Sequence, residues 1–140
     1  MIRALVLSLA GGAVLVPNGG VASDRDVACA TTNVMSERAI CAWDHYRTAN
    51  RQVIRLINKA LFSVEAYEAA MDPDRKGEVR AMLVDGHQAW QTYREETCNL
   101  EARLYFGGEG ASLAYATCLA RLTEARLEDL RVLLEEEGAG

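Results

Sequence analysis

The sequence predicts an all-α protein, a disulfide-stapled three-helix up-down bundle that follows a cleaved signal peptide. Three observations carry this expectation. Only two prolines occur, Pro17 and Pro73, so long stretches lack the strongest helix breaker. Beyond residue 36, apolar residues recur at three- and four-residue steps, with no strand-like alternation and no internal repeat. Four cysteines without Cys-x-x-Cys spacing read as two disulfides in an exported chain.

Export is read from the first residues. Arg3 supplies a charged start, Ala4 to Val16 form an apolar run of signal-peptide length, and Pro17-Asn18-Gly19-Gly20 breaks it. The run is too short to span a bilayer as a mature helix. The small residues Val21-Ala22-Ser23 offer a cleavage site, which places a signal peptide at residues 1–23 and the mature start near Asp24. Cys29 lies well beyond the break, so no lipid anchor and no membrane insertion are expected after cleavage. Residues 24–140 then form a single helical domain, periplasmic or secreted.

The first helix is expected from about Ser36, as N-cap, to Met71, with Ile40, Trp43, Val53, Ile57, Leu61 and Val64 on its apolar stripe. Asp72-Pro73-Asp74 ends it. The second should run from near Arg75 to Phe106, with Val79, Met82, Leu83, Trp90, Tyr93, Leu100 and Leu104 along one stripe. Gly86 inside it points to a close helix contact or a local bend. Gly107-Gly108-Glu109-Gly110 is the clearest loop. The loop itself or Ser112 starts a third helix carrying Leu113, Ala116, Leu119, Thr123, Leu127, Leu130 and Leu134. That helix should fray into Glu135-Glu136-Glu137, acids that oppose the macrodipole.

Cys98 and Cys118 occupy nearly mirrored positions about the glycine loop, within disulfide reach on an antiparallel hairpin. Cys29 then closes onto Cys41. Four cysteines allow three pairings, and the other two stay open. The two histidines, His45 and His87, are not in a zinc-finger rhythm with the cysteines, and no metal or other cofactor is expected.

The formal net charge of -5 becomes -6 once Arg3 leaves with residues 1–23. Such acidity disfavours nucleic acid and anionic membrane and suits a basic partner. Neither histidine lies in a metal-protease, nucleophile-elbow or phosphate-loop motif, and no enzyme is expected. The most specific cluster is Trp90, Arg94 and Cys98, at i, i+4 and i+8 on one face of the second helix. Arg94 can lie over the Trp90 ring or reach a carboxylate on a neighbouring helix, and Arg126 is the matching residue on the third. The cluster reads as a structural knot around the disulfide.

Trp90-x3-Arg94-x3-Cys98, Gly107-Gly108, Cys118 and Thr123-x2-Arg126-x3-Leu130 together resemble the LprI-type lysozyme-inhibitor N-terminal domain family, small exported helical proteins of bacteria. The match is good over about residues 79–131. Upstream, Cys29 and Cys41 match an early cysteine pair. The family's Asp-x-x-Leu-Asn-x-x-Tyr pattern would fall on Asn50, Val53, Ile54 and Ile57, all of which depart, and His87 stands where glutamine is frequent.

The resemblance implies a protein partner, a lysozyme-type hydrolase of the cell wall, bound without catalysis. An acidic helical module would approach a basic lysozyme by electrostatic steering, and Glu109 at the glycine loop is the projecting residue for such a contact. The alternative is an adaptor of an envelope transport or secretion assembly, with no inhibitory activity.

Overall fold

Three helices follow one another, α1 (Met35–Ala69), α2 (Glu78–Arg103) and α3 (Gly108–Gly138), with a short 3-10 turn at Pro73–Arg75. The structure, a computed structural model, describes Cys29 and residues 31–138, with side chains described to residue 135, and these residues contain no strand. The signal segment expected at residues 1–23 and the start expected at Asp24 lie outside the described residues, as do residues 139 and 140. No described helix is long and apolar enough to cross a membrane.

The ends of the helices differ from the sequence expectation in instructive ways. Ser36 is not a cap: α1 starts at Met35 after Val34. Thr32 organises the entry instead, its Oγ1 accepting from the Val34 amide and donating to Glu37 Oε2 at 2.6 Å. Pro73 does stop α1, but α2 does not begin at Arg75. Gly77, at φ 93, reverses the chain first. The freed amides of Val79 and Arg80 then donate to Glu68 Oε1 at 2.7 and 3.0 Å. A buried carboxylate on α1 therefore caps α2, where the helix dipole favours negative charge. At the far end α3 starts at Gly108, earlier than Ser112, and continues through the three glutamates to Gly138.

α2 runs antiparallel to both other helices, and α3 lies alongside α1 in the most extensive of the three pairings. Small residues set that closeness: Ala39, Ala42, Ala49 and Ala60 of α1 are buried, as are Ala116 and Ala120 of α3. Ile40, placed on the core stripe by spacing, is exposed, because Ala39 and Ala42 occupy the face next to α3. The larger correction concerns α2. Met82, Tyr93, Leu100 and Leu104 are exposed; its inward face is Val79, Leu83, His87, Trp90, Arg94 and Cys98, about a quarter turn away. Gly86 sits with the outward set, and among the described residues nothing lies within 4 Å of where its Cβ would be, so no contact between the described helices accounts for it.

Two apolar clusters fill the core. One joins Ala49, Val53, Ile57, Leu127 and Leu130, with Leu83 and Trp90 against it. The other surrounds the Cys98–Cys118 disulfide with Leu119, Trp43, Tyr46 and Tyr115. Cys29 pairs with Cys41, so all four cysteines are used.

Candidate functional site

Between the two clusters lies a polar layer centred on Arg94, which is only 4% exposed. Its Nη1 donates to Asn50 Oδ1 on α1 at 3.2 Å and to Thr123 Oγ1 on α3 at 3.4 Å. Its guanidinium carbon lies 4.8 Å from the Trp90 ring centroid and 5.2 Å from that of Tyr46. The carboxylate it reaches is not on a neighbouring helix. Nη2 donates to Glu95 Oε1 of α2 itself at 2.8 Å, and Tyr115 of α3 donates to the other oxygen at 2.7 Å. All three helices therefore meet at one cation.

The Arg126 guanidinium carbon lies 5.8 Å from the Trp90 centroid, and His87 stacks on that ring at 5.5 Å. Leu130, the last residue of the family-like pattern, is buried in the neighbouring apolar cluster. Sequence reasoning missed Tyr46, Glu95 and Tyr115 as members of this layer. The signal for the layer was a polar residue breaking each apolar stripe at the same level: Asn50 before Val53, and Thr123 between Leu119 and Leu127.

The crowding of cations shows in the titrating groups. Burial, then the charges of Arg126 and Arg94, hold His87 below its usual 6.5. Burial alone would raise the Glu95 carboxyl, but the hydrogen bonds from Tyr115 and Arg94, with the Arg94 charge, hold it below 4.5. Burial and the bond to Glu95 push Tyr115 up to about 12.

A lowered histidine means that the unfolded chain binds a proton more readily than the folded one. The His87 contribution to stability is therefore complete above pH 6.5 and is lost as pH falls through the lowered folded value. Urea midpoints should drop between pH 7 and 5, and His87→Gln should flatten that part of the profile. An unchanged slope in the variant would exclude His87 as its source.

The second feature is the hairpin end of the bundle, where the α2–α3 turn meets the start of α1. Phe106 stands at φ 52, followed by Gly107 at φ 92 and Gly108 at φ 79. The glycines take these angles freely. Phe106 does not, and its left-handed backbone costs on the order of 1 kcal/mol. Its side chain is 100% exposed, and Leu104, Tyr105, Met35 and Ile40 are exposed beside it or across from it. A groove of about 440 Å³ is lined by Met35, Leu104 and Tyr105 together with Arg38, Glu101 and Arg121. Glu109 is exposed at the tip and borders a smaller groove of about 250 Å³ with Ile40 and Trp43. Trp43 and Tyr46 are half-buried and edge-to-face at 5.7 Å.

The other histidine stands at the entry to α1. His45 lies one helical turn from Cys41, its Nε2 3.8 Å from the Cys41 sulfur.

A family profile described as "Lysozyme inhibitor LprI" matches residues 28–130. An uncharacterized protein of Rhizobium meliloti (strain 1021) is 30% identical over 99 residues, covering 69% of this chain and 70% of the relative. No solved structure matches. The matched span holds both disulfides, the Arg94 layer and the hairpin end. The chain belongs to the LprI lysozyme inhibitor family.

Proposed function

We propose that residues 24–140, freed of a signal peptide at residues 1–23, act outside the cytoplasm as a non-catalytic inhibitor of a basic lysozyme-type muramidase, docking through the hairpin end. The observation that carries the docking face is Phe106. A bulky aromatic held in a left-handed conformation and fully in water gains nothing for the fold, and strain of this kind collects at functional positions. With Tyr105 and Leu104 it forms an apolar tip of the sort that interfaces bury at their centre, and Glu109 adds a negative charge suited to a basic partner. The polar layer and the two disulfides are the scaffold that holds this tip rigid.

The test is clearance of a bacterial cell-wall suspension by a basic lysozyme, with and without excess oxidised protein, at two salt concentrations. Inhibition should be dose-dependent and weaken with salt. Phe106→Gly should reduce it at least tenfold while raising stability by about 1 kcal/mol, because glycine relieves the strained backbone. Glu109→Ala should reduce it less and flatten the salt dependence. Absence of inhibition at large excess would sink the reading for that enzyme. The alternative, an envelope adaptor, draws on the outward stripe of α2, where Met82, Tyr93 and Leu100 are exposed on one helix face. Charged substitutions along that stripe should leave lysozyme inhibition unchanged and would abolish co-purification with an envelope partner.

A further inference from the structure

Cys29, Cys41 and His45 stand together at the entry to α1, outside both the Arg94 layer and the hairpin end. Cys41 and His45 are four residues apart on α1, hence on one face. Cys29 is brought to them by the disulfide, with its Cα 5.6 Å from that of Cys41. The three ligand atoms all lie within 4.8 Å of one another, and all three residues are half-buried. In a tetrahedral zinc site, Zn–S distances of about 2.3 Å and Zn–N distances of about 2.0–2.1 Å put neighbouring donor atoms about 3.5–3.8 Å apart. For a nitrogen and a sulfur on one zinc the spacing is about 3.5 Å, and the His45 Nε2 to Cys41 Sγ distance of 3.8 Å lies within a few tenths of an ångström of it.

We propose that the Cys29–Cys41 disulfide is a redox gate over a zinc site: once reduced, the two cysteine thiolates and His45 Nε2 bind one Zn(II), with water as the fourth ligand. The opening step uses a dithiol. One of its thiolates attacks a sulfur of the disulfide, and its second thiol resolves the mixed disulfide. Two cysteine thiols are left and the reductant becomes a cyclic disulfide, so two electrons and two protons pass to the protein. Zinc then displaces the two thiol protons to solvent. Two thiolates and an imidazole are a donor set that zinc favours, and three protein ligands plus water is a common zinc arrangement. The chain does not lose its tether: a metal clamp replaces the covalent one between residue 29 and α1.

Burial makes the gate selective. Cys29 and Cys41 are half-buried, whereas Cys98 and Cys118 are 0% and 1% exposed, so a dithiol under native conditions reaches the first pair.

The experiment reduces the purified protein with a dithiol without denaturant, removes the reductant, counts thiols by alkylation and mass, and titrates Zn(II) against a chromophoric chelator. Co(II) serves as the spectroscopic stand-in. Two thiols should appear, one Zn(II) should bind per chain and protect both from alkylation, and Co(II) should give the intense visible bands of a tetrahedral thiolate site. The oxidised protein should bind none. His45→Ala should weaken zinc binding at least tenfold with the helical circular dichroism unchanged, and His45→Gln gives the same reading should the alanine variant unfold. The proposal is overturned by absence of stoichiometric zinc uptake, by unchanged affinity in the histidine variants, or by release of all four thiols together.

Discussion

Arg94→Ala should lower the free energy of unfolding by about 4 kcal/mol, the largest loss expected from a single substitution in this chain. The guanidinium is nearly fully buried, so removing it takes away more than a charge. Asn50 Oδ1 and Thr123 Oγ1 each lose their donor, and Thr123 is 0% exposed, so water cannot replace it without opening the core. The faces of Trp90 and Tyr46 lose the cation between them, and the truncated side chain leaves a cavity. Arg94→Lys should recover only part of the loss, since one ammonium cannot present the fork that serves Asn50, Thr123 and Glu95 together. Urea unfolding followed by circular dichroism reads the result, and a loss below about 1 kcal/mol would show that the layer relaxes around the gap. Replacing Arg94, Asn50 and Thr123 together with apolar residues should cost much less than Arg94→Ala, because no buried polar group is then left without its partner.

The paired substitution Cys98→Ala and Cys118→Ala should cost about 3 kcal/mol, through the entropy of a chain no longer closed into a loop by a bridge of sequence separation 20. Few single features carry more in a domain whose total stability is of order 5–15 kcal/mol. The Cys29–Cys41 pair has a separation of 12 and a similar entropic effect on the unfolded chain. Its loss should matter less, because without the bridge the half-exposed residue 29 also gains freedom in the folded protein and offsets part of the effect. Comparing urea midpoints of the two double variants tests this order; a larger loss from the Cys29–Cys41 pair would reverse the roles assigned to the two bridges.

Three helices were legible in the sequence because their signals are local. A proline, a glycine loop and a three- and four-residue apolar rhythm act within a few residues of themselves, and none needs knowledge of the partner helices. The Cys98–Cys118 pairing was legible for a related reason: a short turn fixes which positions of a hairpin come level. Trp90, Arg94 and Arg126 were also found by spacing, and the structure gathers them around one ring. Glu68 as the cap of α2 was not legible. The carboxylate and the amides it serves are 11 and 12 residues apart, and only the packing of α1 on α2 brings them together.

The face of α2 that turns inward shows the limit most clearly. This helix carries two stripes a quarter turn apart, one with Met82, Tyr93, Leu100 and Leu104, the other with Leu83, Trp90, Arg94 and Cys98. By hydrophobicity the first is the better core. The second is buried because the disulfide at Cys98 and the partners of Arg94 on α1 and α3 fix the rotation of the helix about its axis. The sequence by itself determined the number, order and approximate limits of the helices and favoured one of three cysteine pairings, since these follow from short-range preference and chain connectivity. Only the tertiary structure decided which side of α2 is core and which faces water, that Phe106 is left strained and exposed, and that Glu68 of α1 caps α2. Each of these depends on the relative rotation and contact of elements distant along the chain, which no local pattern encodes.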